Sequence, residues 1–179
     1  MKKYIILALV VCMLFLVACT KNKPVTDVGG ESGIVFEKVN EPEETSKEIT
    51  LYFSDNQGMA LCKELRTVSS KEASDPEFVI KELFAGTKDE TLISVIPSAT
   101  KVNSCVIEDG VCVVDLSVDF IEIQGSTAQE MAMYSVVNTL CGVEGVESVR
   151  FLIDGNTVPV FGVFDFASEL TPNMSIVKE

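Results

Sequence analysis

Residues 102–116 read VNSCVIEDGVCVVDL, in which two β-prone runs flank the pair Asp109-Gly110. Asp-Gly at the centre of a two-residue loop is typical of a tight β-hairpin. With that pair in the turn, Cys105 faces Val114 across the two strands. Strand alternation then places five residues on one face of the hairpin: Cys105, Ile107, Cys112, Val114 and Leu116.

A helix is predicted on each side of this hairpin. Asp75-Pro76 is typical of a helix start, with Asp as the cap and Pro in the first turn, and Gly86 supplies the stop. After the hairpin, Ser126 and Gln129 match a capping box. The helix that follows presents an apolar stripe with helical spacing: Met133, Val136, Val137 and Leu140.

Further strands are predicted at both ends of this central part. Residues 49–53 are β-branched and aromatic, and residues 59–68 follow them after a turn. Residues 146–153 predict a strand that turns into residues 157–160. Pro159 cannot donate a hydrogen bond to a ladder, so the last strand should lie at an edge.

This order of elements predicts the α+β class, a mixed or antiparallel sheet with two helices packed on one face. About 130 residues are available for it, enough for a single core. We assign residues 48–168 to this domain and residues 169–179 to a C-terminal tail. Residues 19–47 are rich in Gly, Pro, Ser, Thr and Glu, which predicts a disordered acidic tether.

The first 19 residues have the features of an exported, lipid-anchored protein. An uncharged apolar run from Tyr4 to Val17 follows two lysines, and it is shorter than the roughly 20 residues that span a bilayer. Leu16-Val17-Ala18-Cys19 resembles the lipobox of bacterial lipoproteins, in which the cysteine after the cut carries the lipids. We therefore predict a signal peptide at 1–18 and lipidation at Cys19. An ordinary signal peptide with a chance cysteine is the alternative.

Composition narrows the range of functions. The net charge is −13, and it becomes −15 once the two lysines of residues 1–18 are removed, which argues against nucleic-acid binding because phosphate contacts need Lys and Arg. The chain contains no histidine, which excludes Ser-His-Asp and Cys-His catalysis and His-ligated zinc. We predict no catalytic residue, no cofactor and no metal.

Four cysteines belong to the predicted domain: Cys62, Cys105, Cys112 and Cys141. They include no C-x-x-C pair, so no local redox or zinc motif is present. Each lies in an apolar stretch where a small buried thiol packs well, and we expect free thiols. One disulfide and a four-thiolate metal site are the alternatives.

An acidic cluster after the hairpin is the first candidate for chemistry. Asp115, Asp119 and Glu122 have the start of a calcium-loop spacing. Phe120 and Ser126, however, occupy the positions where such a loop needs Gly and Glu. We interpret the cluster as a solvated turn in which Asp115 accepts hydrogen bonds from the backbone amides leading into Phe120.

The arginines and an aromatic pair are the remaining candidates. Arg66 and Arg150 are the only arginines, and each ends a predicted strand beside apolar residues, which favours a structural pair with a carboxylate. Contact with a partner protein or wall polymer is the alternative. Tyr52 and Phe53 are adjacent in a strand and so point to opposite faces, where one must be less buried or covered by a helix. A sugar-stacking surface is the alternative there.

The order and spacing of several motifs resemble the GerMN domain of sporulation and spore-germination proteins. The resemblance covers roughly residues 48–167 and is carried by these stretches: Leu51-Tyr52-Phe53-Ser54-Asp55, Leu65-Arg66-Thr67-Val68, Ile80 to Gly86, Ser94-Val95-Ile96-Pro97, Val113-Val114-Asp115-Leu116-Ser117 with Phe120, Val137-Asn138-Thr139-Leu140, and Val146-Glu147-Ser148-Val149-Arg150-Phe151 leading to Asp154-Gly155. It implies a small α+β domain similar to ring-building motifs, found on envelope lipoproteins and membrane proteins, with no associated catalytic residue or cofactor. The single copy here differs from members that carry two copies or a second domain.

Two hypotheses of function follow from the anchor and the resemblance. The first is a non-catalytic interaction or assembly module at the outer face of the cytoplasmic membrane, whose partners are envelope proteins or further copies of itself. The second is a binding module for cell-wall glycan or a small solute. A carboxylate hydrolase is the remaining enzymatic option, and we do not expect it.

Overall fold

The computed structural model describes residues 45–178 of the chain. The predicted signal peptide, the lipidation site Cys19 and most of the predicted tether lie outside the described residues. Among residues 45–178, no helix is both long and apolar enough to cross a membrane.

An antiparallel sheet begins the domain. Strand β1 (Ser46–Asp55) pairs with β2 (Leu61–Ser69), and the short β3 (Leu92–Ile93) pairs with the end of β1 on its other side. The carboxylate of Asp55 accepts a hydrogen bond from the Met59 amide at 2.9 Å, which fixes the turn between β1 and β2. The order of strands in this sheet is β2-β1-β3.

Two helices follow β2. The single-turn helix α1 (Ser70–Ala73) has a capping box formed by Ser69 and Glu72, which the sequence analysis did not predict. Helix α2 (Pro76–Phe84) begins as predicted, since Asp75 is its cap and accepts from the Glu77 amide at 3.0 Å.

The central hairpin consists of β4 (Val102–Glu108) and β5 (Val111–Leu116). Asp109 and Gly110 both have positive φ angles, 50° and 86°, as a type I′ turn requires. The predicted register is confirmed, because Cys105 pairs with Val114 and Ile107 pairs with Cys112.

A 3-10 helix (Val118–Glu122) and the long helix α3 (Ser126–Leu140) lead to β6 (Ser148–Ile153), which pairs with β5 in parallel. The predicted capping box at the start of α3 is wrong. Gly125 is the cap residue, and Ser126 makes no capping bond there. The Gln129 side chain instead donates to the Ile123 carbonyl at 2.9 Å.

The prediction of an edge strand at residues 157–160 is also wrong. The chain forms a separate two-stranded sheet, β7 (Val160–Phe161) with β8 (Phe164–Asp165), and no strand from this segment pairs with β6. Burial explains the difference, because this path puts Phe161 and Phe166 into the core. Their rings pack against Phe120 and Phe151, with Phe151 and Phe166 centroids 4.6 Å apart.

The α+β class is confirmed, with the strands divided among three sheets rather than joined in one. The core lies between the helices and the inner faces of the sheets. Both strands of the predicted hairpin and the apolar stripe of α3 contribute residues to it. A final 3-10 helix (Met174–Ile176) lies in the segment that we assigned to a tail.

Candidate interaction surface

Helix α3 closes one edge of β1. The Tyr52 amide donates to the Thr139 hydroxyl at 3.1 Å, and the Ser135 hydroxyl donates to the Tyr52 carbonyl. Ser135 and Thr139 are four residues apart and therefore share one face of the helix. Their hydroxyls take the place of a neighbouring strand at Tyr52, so this part of the edge is not available to a partner.

The C-terminal segment closes the free edge of β6. Leu170 exchanges two backbone hydrogen bonds with Val149, of 2.8 and 2.9 Å. Beside them, Glu169 accepts from Ser148 at 3.2 Å and forms an ion pair with Arg150. The predicted tail is thus bonded to the domain.

The same segment continues across α3 to the start of β2. The buried Asn138 side chain exchanges two hydrogen bonds with the Asn173 backbone, of 2.9 and 3.1 Å. Ile176 and Val177 then cover a small apolar cluster made of Tyr52, Leu61 and Met131. We call residues 169–178 the C-terminal strap.

The end of the strap is fixed by an ion pair. The Lys178 amide donates to the Leu61 carbonyl at 2.8 Å, and its ammonium group pairs with Asp55. The hydrogen bond from Lys178, followed by the one from the Met59 amide, lowers the pKa of Asp55 to about 2.

Strand β2 has an open outer edge beyond Leu61, but charged residues protect it. The strand carries Lys63, which is exposed, and Glu64 and Arg66, which point inward, and both kinds of charge on an edge strand discourage pairing with another chain. Leu65 is its one large exposed apolar side chain, 58 % exposed.

Strand β4 has an open outer edge without such protection. It is the terminal strand of its sheet, and none of the described backbone groups bonds to its outer side. Its sequence from Val102 to Ile107 contains no charged residue and no proline. Val106 and Ile107 are 47 % and 37 % exposed. We call this edge, with those two side chains, the β4 surface.

The predicted acidic cluster is built into turns. Asp115 accepts from the Gly155 amide at 2.9 Å, so the predicted acceptance from amides leading into Phe120 is wrong. Asp119 accepts from the Ser117 hydroxyl at 2.8 Å. No group of three or more potential metal-binding side chains occurs within residues 45–178.

Both arginines form the predicted pairs with carboxylates. Arg66 is buried and contacts Glu64 at 2.6 Å and Glu82 at 2.9 Å, while Arg150 is half exposed and pairs with Glu169. Burial opposes the ionisation of Glu64, but hydrogen bonds from Thr87, Arg66 and the Lys88 amide outweigh it and lower the pKa of this carboxyl.

Tyr52 and Phe53 are both buried, and Tyr52 is covered by α3 and the strap. Neither ring is therefore available to stack on a sugar. All four cysteines of the domain are free thiols, and two of them, Cys105 and Cys112, contact each other.

Sequence reasoning missed the strap and the hydroxyl pair of α3. The apolar pattern gave no signal of the hydroxyl pair, because at helical spacing Ser135 and Thr139 lie more than about 100° around the helix from the centre of the predicted apolar stripe. The strap had no local signal, because its contacts with the rest of the domain join residues that are at least 19 positions apart.

Comparison with known proteins identifies relatives of this domain. A family profile described as Germane, sporulation and spore germination, matches residues 50–159. A search of curated proteins finds no match. A solved structure of a protein from Clostridium perfringens, described as a lipoprotein, is 20 % identical with a TM-score of 0.52, over 70 % of this chain and 87 % of that one.

Two structures of the sporulation protein GerM from Bacillus subtilis are also similar. Its first GerMN domain is 18 % identical with a TM-score of 0.51, over 72 % of this chain and 98 % of that one. Its tandem GerMN domains are 19 % identical with a TM-score of 0.54, over 71 % and 46 % of the two chains. At these identities the structures establish the shared fold.

Proposed function

Because the chain belongs to the Germane family of sporulation and spore germination, we propose that it is a non-catalytic protein-interaction module of the cell envelope. In this proposal a lipid on Cys19 holds it at the outer face of the cytoplasmic membrane. The lipobox-like residues Leu16 to Cys19 support the anchor, and the similar lipoprotein from Clostridium perfringens is consistent with it.

The β4 surface is the observation that carries the interaction role. A strand edge that is open and uncharged offers its unpaired backbone groups to a strand of a partner, and flanking side chains supply specificity. Val106 and Ile107 point to opposite faces of the sheet, so a partner strand would contact one on each side. The partner in our proposal is an envelope protein or a second copy of this chain.

The sequence also supports a role without catalysis. It contains no histidine, and the carboxylates of the predicted acidic cluster, Asp115 and Asp119, are occupied by turn hydrogen bonds. Changing both to asparagine should leave any cellular phenotype of the protein unchanged, which a hydrolase based on them would not tolerate.

Photocrosslinking in intact cells tests the proposed surface. A photoreactive amino acid replaces Val106 on β4 or, as the matched control, Leu65 on β2, which is somewhat more exposed but lies on a charged edge. We expect a discrete adduct with an envelope protein, or a dimer, from position 106 alone. Equal adducts from both positions, or none from position 106 in cells that make the folded protein, would refute the role of the β4 surface.

The anchor has a separate test. Intact-mass analysis of the mature protein should show a chain that begins at Cys19 and carries acyl groups, and Cys19→Ser should abolish that modification. A mature N-terminus free of lipid would overturn the anchor without bearing on the β4 surface.

A further inference from the structure

Cys105 and Cys112 form a close pair of thiols inside the central hairpin. Their sulfur atoms are 3.4 Å apart, although the two residues are diagonal neighbours and do not face each other directly. Diagonal positions in an antiparallel pair are about 7–8 Å apart at the backbone. Both side chains therefore point toward each other. A disulfide bond is about 2.05 Å long and usually joins Cα atoms about 4.4–6.8 Å apart, so the sulfurs need to approach by about 1.4 Å and the two strands need to shift toward each other.

We propose that Cys105 and Cys112 are a redox modification site, a dithiol that a low-molecular-weight disulfide oxidises to a bond joining β4 to β5. Cys105 and Cys112 are 4 % and 0 % exposed, so the reaction needs local opening of the hairpin. Strand β4 is placed for that opening, because it is terminal in its sheet and its outer edge has no bonding partner among the described residues.

The exchange reaction balances without a metal or cofactor. One protein thiolate attacks a sulfur of the small disulfide, forms a mixed disulfide and releases one small thiolate. The second protein thiol loses its proton, and its sulfur displaces the remaining small thiolate. Two protein S–H bonds are lost and one S–S bond forms, while the small disulfide is reduced to two thiols.

The electrostatics of the pair favour this chemistry. The hydrogen bond between the sulfurs lowers the pKa of Cys112 and raises that of Cys105, so that one thiol of the pair ionises more readily than the other. The thiolate is the reactive form of cysteine. Burial raises the pKa of Cys141 to about 11, which disfavours reaction there.

The other two thiols of the domain make no comparable contact. Cys62 lies on β2 and Cys141 caps α3, and no sulfur–sulfur contact within residues 45–178 involves either. Oxidation of the folded protein should therefore be selective for Cys105 and Cys112.

Peptide mapping tests the proposal on the full chain, purified under reducing conditions and then treated with oxidised glutathione. Remaining thiols are blocked with a maleimide, and the protein is cut after Glu108, which lies between the two cysteines. We expect the two resulting peptides to stay joined by the disulfide. Their joint mass should be lower by about 2 Da than the sum of the two free peptides, because two hydrogens are lost. Adding a reductant should separate them.

Variants locate the reaction. Cys62→Ser and Cys141→Ser should give the joined peptides in unchanged yield, whereas Cys105→Ser and Cys112→Ser should give none. Peptides that carry separate maleimide or glutathione groups at Cys105 and Cys112, or a bond from either to Cys62 or Cys141, would overturn the proposal. The mapping of the unmodified sequence decides this even where a serine variant fails to fold.

Discussion

Arg66 is a buried charge held by several partners. Its side chain, 5 % exposed, contacts two carboxylates, the carbonyls of Glu82 and Gly86, and lies over the Phe53 ring. Removing one partner of a buried ion pair leaves a buried charge without compensation, which costs about 3–5 kcal/mol. Arg66→Met should lower the free energy of unfolding by that amount in urea titrations.

Arg150 provides the matched control for Arg66. It also pairs with a carboxylate, but both partners are more than 40 % exposed, and exposed pairs contribute about 0–1 kcal/mol. If Arg150→Met destabilised the protein as much as Arg66→Met, burial would not be the reason for the importance of Arg66.

Asp55 makes the stability depend on pH. Its pKa in the folded protein, about 2, lies below the ordinary value of 3.8, so the ionised carboxylate favours folding. That contribution is present above about pH 4 and is lost as the pH falls from there toward 2. Urea midpoints at pH 5, 4, 3 and 2 should show this loss. Asp55→Asn should make the decrease in the midpoint with falling pH smaller.

Lys178 is the main cause of the low pKa of Asp55, so Lys178→Met should move the loss of stability to higher pH. In the double variant that combines Asp55→Asn with Lys178→Met, Lys178→Met should no longer change the dependence of stability on pH. An undiminished effect of Lys178→Met in the absence of Asp55 would show that the ion pair is not the cause.

At the scale of elements, two hydroxyls of α3 hold the edge of β1 through hydrogen bonds with the Tyr52 backbone. Thr139→Val keeps the shape of the side chain but leaves the buried Tyr52 amide without an acceptor, and an unsatisfied buried donor costs about 1–3 kcal/mol. Ser135→Ala should lower the free energy of unfolding by about 1 kcal/mol, because the Tyr52 carbonyl loses the hydroxyl that donates to it. Both are measured as changes in the free energy of unfolding.

Ser126→Ala is the control in the same helix. Ser126 is exposed and makes no capping bond, so its loss should change stability by less than about 0.5 kcal/mol. A loss of stability as large as that of Thr139→Val would indicate that Ser126 and Gln129 form the capping box that the sequence pattern predicted.

The elements that local chemistry decides were predictable from the sequence. The register of the β4–β5 hairpin follows from Asp109-Gly110 and strand alternation, and the start of α2 follows from Asp75-Pro76. The start of α3 was predicted to within one residue, but its cap was not predictable, because the Gln129 side chain bonds to the Ile123 carbonyl instead of the cap residue. A Cβ atom at Gly162 would lie 1.9 Å from the Gln129 side-chain oxygen, so Gly162 and Gln129 pack directly together.

The candidate surface was predictable only in part. The absence of charge between Val102 and Ile107 is visible in the sequence, but whether the strand is central or terminal depends on which strand pairs with β5. The pattern predicted a hairpin of strand 146–153 with residues 157–160 and gave no pairing of that strand with the central hairpin. The structure pairs it with β5, on the side away from β4, and this leaves the β4 edge open.

At the scale of the whole domain, the C-terminal strap bonds to three separate parts of the fold. It bonds to β6 at Leu170, to α3 at Asn173 and to the β1–β2 turn at Lys178. The strap thus closes the edge of β6 and the beginning of β2, and α3 closes the edge of β1. The distribution of these contacts, rather than any one of them, leaves the uncharged residues 102–107 of β4 open.

Deleting residues 173–179 tests whether the strap is part of the folded unit. The deletion removes both hydrogen-bond partners of the buried Asn138 side chain and uncovers Tyr52, Leu61 and Met131. Unsatisfied buried polar groups and newly exposed apolar area together should cost about 2–5 kcal/mol in urea titrations. The binding of a hydrophobic dye should increase. Met174→Ser, which alters an exposed side chain of the same segment, should change neither measurement. A deleted protein as stable as the parent would mean that the domain folds without the strap, and that the cluster around Tyr52 tolerates water.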